Sequence, residues 1–77
     1  MTPDFNWRQV HGLEVLFIGE VEVGRVHRTG GRNGRPRWLF QLDQHGAFWR
    51  DEKTIEICRA QVIGRMVDWL RRAKVIP

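Results

Sequence analysis

Alternation governs the middle of the chain. Leu13, Val15 and Phe17 alternate with Glu14, Leu16 and Ile18, and Val21 and Val23 alternate with Glu20 and Glu22. A period of two marks β-strands, and Gly19-Glu20 between the runs reads as a tight turn, so a hairpin is expected. Gly24 interrupts the second strand and predicts a bulge that changes which residues face inward before Val26. Further on, Trp38, Phe40 and Leu42 form the inward face of a third strand, with Leu39, Gln41 and Asp43 opposite. Gln44-His45-Gly46 then turns the chain into a short fourth strand, Ala47 to Arg50.

The period changes after that. Ile55, Cys58, Val62, Met66, Trp69, Leu70 and Ala73 recur at spacings of three and four and fall within an arc of about 120°, the buried face of one long helix. Asp51 is placed as its N-cap, with Glu52 and Glu56 at the positive end of the helix dipole and Arg71, Arg72 and Lys74 at the other. At the amino end, Thr2-Pro3-Asp4 has the order of a helix start, with room for about two turns before Gly12; an ordered arm fits equally well. The expected fold is α+β: an antiparallel sheet of three or four strands, packed on one face by a long C-terminal helix, with a short N-terminal helix allowed. One helix covers one face of such a sheet and leaves the other open. Repeats and linkers are absent, so residues 1–77 read as a single small domain.

Composition narrows the class. A chain of 77 residues buries only about 60% of its unfolded surface, and four tryptophans and four phenylalanines supply much of what it can bury. A lone cysteine rules out an internal disulfide framework and points to a reducing, cytoplasmic setting. Apolar runs fall far short of the roughly 20 residues of a membrane span, and no signal-peptide pattern is visible.

The net charge of +4 is local. Arg25, Arg28, Arg32, Arg35 and Arg37 share a stretch with no acidic residue, while the other residues hold eight basic and nine acidic groups. Thr29 to Pro36 is a loop by composition, with Gly30, Gly31, Asn33, Gly34 and Pro36 among its eight positions. Flexible glycines and guanidinium forks together suit a phosphate backbone. Engagement of five phosphates would weaken binding roughly 500-fold between 50 and 200 mM salt. The bland alternative is a solvated loop whose charge aids solubility. Within it, Gly34-Arg35-Pro36-Arg37 resembles the core of an AT-hook, which lies in A·T-rich minor grooves, although Asn33 stands where that family has an arginine. The resemblance implies groove insertion for Arg35 alone.

Trp38 follows the basic loop directly and Trp49 ends the last strand, and each could stack on a base or sit in the core; the phase of Trp38 with Phe40 and Leu42 favours the core. Trp69 and Cys58 lie on the helix's buried arc. Arg59 borders that arc, its stem expected over the sheet's edge. His11, His27 and His45 show no ligand spacing, so neither a metal nor any other cofactor is called for. There is no serine, no activated nucleophile and no matched acid–base pair, and the reading is a non-enzyme.

From Val15 to Leu70 the order of hairpin, strand with Trp38, Phe48-Trp49-Arg50 and a helix opened by Thr54-Ile55-Glu56 resembles the amino-terminal DNA-binding domains of tyrosine integrases. That resemblance implies a three-stranded sheet whose open face enters the major groove, nominating Arg25, Arg28, Arg37 and Gln41. Glu20 and Glu22 depart from it by placing negative charge on the same hairpin. The double-stranded-RNA-binding domain resembles the chain less, since its second helix opens with lysines rather than Asp51 and Glu52. The expectation is therefore a small DNA-binding protein, DNA favoured over RNA, using Arg25, Arg28, Arg32, Arg35, Arg37, Trp38 and Gln41. The rival reading is a phage or mobile-element module, anti-CRISPR-like, whose tryptophan and arginine meet a host protein. A homodimer through the leftover sheet face is a third option.

Overall fold

A computed structural model describes residues 4–43, 46–74 and 76. Five strands form one antiparallel meander in sequence order: β1 (Phe5–Val10), β2 (Leu13–Ile18), β3 (Val21–His27), β4 (Arg37–Phe40) and β5 (Arg50–Asp51). A single helix, α1 (Ile55–Arg72), follows. The α+β architecture read from the pattern is present.

The amino-terminal segment is a strand, not a helix. Phe5 to Val10 pairs residue by residue with Ile18 to Leu13. Thr2 and Pro3, on which the helix start rested, lie outside the described residues. His11 and Gly12 both have positive φ, at 50° and 79°, the I′ geometry whose twist suits a two-residue hairpin. A ready neighbouring strand satisfies more backbone groups than two isolated helical turns could.

The bulge is where Gly24 predicted it. Leu16 pairs with Gly24 but Phe17 with Glu22, so Val23 is extra, and both Val23 and Val26 reach the core. Gly24 has a second duty: a Cβ there would stand 2.5 Å from Val62 Cγ1, so its bareness lets the helix settle on the sheet.

Leu16, Val23, Val26, Trp38 and Phe40 meet Cys58, Val62, Met66 and Leu70 in the core. The helix lies mainly across β4 and β3. Its cap is Thr54, whose hydroxyl accepts from Ile57 N at 3.2 Å. Asp51 is not free for that task, being paired with Arg37 in β5. The expected fourth strand shrinks accordingly: residues 46–49 are irregular, and Gln44 and His45 of the expected turn lie outside the described residues. No helix among the described residues is long and apolar enough to cross a membrane.

Candidate nucleic-acid interface

The loop between β3 and β4 is tied down at several points. Arg32 to Gly34 makes one 3-10 turn, in which Asn33 takes φ 58° and ψ 32°, a left-handed conformation that asparagine tolerates. Gly31 N donates to the Arg35 carbonyl at 2.7 Å, and Glu52 N donates to the Pro36 carbonyl at 2.9 Å. Arg32 N donates to Asp51 Oδ2 at 2.9 Å. A Cβ on Gly31 would fall 2.6 Å from Asp51 Oδ1. Gly31, like Gly30 where a Cβ would stand 2.6 Å from His27 Nδ1, serves close packing, whereas Gly34 supplies a positive φ; the loop is hydrogen-bonded in place rather than the free connector expected.

The five arginines separate into two groups. Arg25 grips Glu22 with two bonds, Nε to Oε1 at 2.8 Å and Nη2 to Oε2 at 3.0 Å. Its hydrogen bond with Glu22 pushes the guanidinium pKa up, and the same bond, aided by Gln41, holds the Glu22 carboxyl below its usual range against the opposing effect of burial. Arg28 approaches Glu14 Oε2 at 3.3 Å, although its side chain is 64% exposed. Arg37 turns back to donate to the Gly30 carbonyl at 2.8 Å, and its buried Nε has no acceptor among the described residues. Arg32 and Arg35 are exposed, and no carboxylate among the described residues meets either guanidinium.

Two other nominated residues are engaged elsewhere. Trp38 is buried against the helix, donates Nε1–H to Glu52 Oε2 at 2.9 Å, and lies beneath the Arg50 and Arg65 guanidiniums. No base can stack on it there. Gln41 donates its side-chain amide to Glu22 at 2.5 Å. Arg25, Glu22 and Gln41 thus form a nearly neutral knot on the open sheet face, and that face is not a basic platform.

Trp49, whose side the pattern left open, is on the open face. The Arg37 guanidinium stacks over its ring at 4.7 Å, and His27 meets it edge-on with centroids 6.5 Å apart. The half-buried ring braces the base of the loop. Phe48 beside it is 62% exposed. Nothing in the local sequence distinguished these two roles, because residues 46–49 lack the alternation of a strand.

The decisive residue missed in the sequence is Glu14. It is only 5% exposed and faces the helix, where Arg59 donates Nε to Oε1 at 2.7 Å and Nη2 to Oε2 at 3.0 Å. That bond with Arg59 holds its carboxyl below the usual range, outweighing burial, with Arg28 adding to the effect. Cys58 is fully buried, and burial pushes its thiol up to about 11, which disfavours the thiolate. No cluster suited to a metal ion occurs among the described residues.

No family model matches the chain, and neither a curated protein nor a solved structure does.

Proposed function

We propose that the chain is a small, non-enzymatic nucleic-acid-binding protein that grips the phosphate backbone of double-stranded DNA through its β3–β4 loop. One observation carries the reading: Arg32 and Arg35 extend, exposed, from a hydrogen-bonded loop backbone and meet no carboxylate among the described residues. These bonds already order the loop's backbone, so binding need not order it, and guanidiniums with no carboxylate partner among the described residues are available to displace counterions. Arg28 joins them because its side chain stays largely exposed beside Glu14. Arg37 acts within the loop, bracing Gly30 and Trp49. The sheet positions the loop but contributes no free charge at Arg25.

This allocation changes the expected salt dependence. Three phosphate contacts give a slope of about −2.7, so fourfold more salt weakens binding roughly 40-fold. The test is a titration of labelled duplex at 50 and 200 mM salt, wild type against the Arg32→Ala/Arg35→Ala double variant. A shallower slope and weaker binding in the variant are expected. Duplex binding that is indifferent to both salt and the double change rejects the reading, and capture of a protein partner through the same arginines would replace it with the interaction-module view.

A further inference from the structure

The two edges of the sheet differ. On one side β5 is two residues long, too short to invite another strand. On the other, β1 offers six residues with no proline and no bulge in its pairing with β2. Its one charge, 41% exposed, is turned onto the open sheet face rather than along the edge: the Arg8 guanidinium lies over Phe17 at 4.4 Å, bonds Asn6 Oδ1 and the Gly19 carbonyl, and approaches Glu20 at 3.7 Å. The edge is long and unguarded.

Which backbone groups it offers can be worked out. In a two-residue hairpin the flanking pair, here Val10 and Leu13, exchanges hydrogen bonds, and such pairs alternate along the strands. Asn6 and Arg8 therefore bond inward to β2, and the bond from Gly19 N to the Asp4 carbonyl continues the same alternation. The N–H and C=O groups of Phe5, Trp7 and Gln9 are left facing outward.

Beside this edge runs an apolar strip. Trp7 pairs with core residue Leu16, and Phe5 with Ile18, so both aromatics lie on the helix side of the sheet. A helix about 10 Å wide spans roughly two strands at 4.8 Å spacing, and α1 lies mainly on β4 and β3. Phe5 and Val21, which flank Ile18 on the two neighbouring strands, consequently stay 40% and 59% exposed, with Trp7 and Ile18 only partly buried.

We infer that β1 pairs antiparallel with β1 of a second copy of this chain, about a two-fold axis at Trp7, joining two sheets into one. Trp7 then faces the partner's Trp7, and Phe5 faces the partner's Gln9, using only the outward backbone groups. Asn6 lies opposite the partner's Arg8, so no like charges meet. A shift of two residues in either direction leaves one outward strand residue, Phe5 or Gln9, without a strand partner, and the shift that centres the axis on Arg8 also sets that arginine against its own copy, which is unfavourable. A shift of one would place the helices on opposite faces and separate the two apolar strips. The favoured register keeps both helices on one face with the strips adjoining. Each basic loop remains on the β3–β4 side, away from the axis.

Sedimentation over a range of concentrations, with the chain free of DNA, tests this. Wild type is expected to dimerise. Gln9→Pro removes an outward N–H that the monomer does not use, so it is expected to keep the circular dichroism spectrum and lose the dimer. Register is read by cross-linking: Asn6→Cys mixed with Arg8→Cys is expected to give a disulfide-linked pair, the native Cys58 being buried. A wild-type monomer at millimolar concentration overturns the inference, as does a Gln9→Pro dimer or an Asn6→Cys or Arg8→Cys chain that cross-links to itself. A monomer that instead pairs β1 with a strand of a different protein also overturns it. The Arg32→Ala/Arg35→Ala variant should dimerise normally, which separates this edge from the DNA-binding reading.

Discussion

Arg25 and Arg35 belong to the same basic stretch, yet they carry opposite assignments. Arg25 sits in a strand beside Glu22 and is held by two hydrogen bonds on the open sheet face. Arg35 sits just beyond the 3-10 turn, in extended backbone, with its guanidinium in solvent. The first arginine's charge is cancelled by its own hairpin; the second's charge reaches outward. Arg28 stands between them, sharing Glu14 with Arg59 while remaining largely exposed. A run of like charges in a sequence is therefore not yet a binding surface. Its available charge is what remains after the fold has brought in carboxylates.

The largest test of that contrast is at Glu14. Glu14→Gln is expected to cost about 2–3 kcal/mol, because it breaks a buried, bidentate clasp between sheet and helix. Urea unfolding measures it, and a change of only a few tenths would show that the clasp contributes little. Duplex binding should hold or improve, since Arg28 is released.

Next comes the double change at Arg32 and Arg35 to alanine. Two lost phosphate contacts reduce the salt slope by about 1.8 and weaken binding roughly 30-fold at 0.15 M salt. Stability should move by less than about 0.5 kcal/mol, as for other exposed positions. A large drop in melting temperature would mean that these side chains hold the loop rather than present it.

Acid should act on the paired arginines and spare the free ones. Glu14 and Glu22 both titrate below the ordinary value of 4.5, so their stabilising effect is complete above that pH. It is lost as pH falls through the lowered folded values, where protonation favours the unfolded chain. Thermal melts from pH 6 to pH 3 should show a falling midpoint in wild type, and a shallower fall in Glu14→Gln. Equal slopes in the two proteins would exclude Glu14 as a source of the acid sensitivity.

The smallest expected effect is at Glu22. Glu22→Gln frees Arg25 and steepens the salt slope by at most about 0.9. The cost in stability is below about 1 kcal/mol for so accessible a pair. If duplex titrations find the slope unchanged, Arg25 lies outside the contact surface altogether.

Much of the framework was legible in the sequence because it depends on local periodicity. The hairpin of β2 and β3, the bulge before Val26, the Trp38 and Phe40 strand and the arc from Cys58 to Leu70 all declare themselves through spacing. The amino-terminal strand did not, because Phe5 to Val10 lacks a clean alternation and the cap-like Thr2-Pro3-Asp4 competes with it. Its strand state comes from its pairing with β2, which no local preference encodes. Trp49 was equally opaque, its position being set by Arg37 and His27 from two other strands.

Local pattern alone specified the β2–β3 hairpin, the long helix and the concentration of arginine around the β3–β4 loop. Which arginines keep their charge available depends on the folded contacts. Periodicity is a property of neighbours along the chain, whereas neutralisation depends on neighbours in space. Glu14 and Arg59 are separated by 45 positions, and only the folding of the helix onto the sheet brings them within 3 Å.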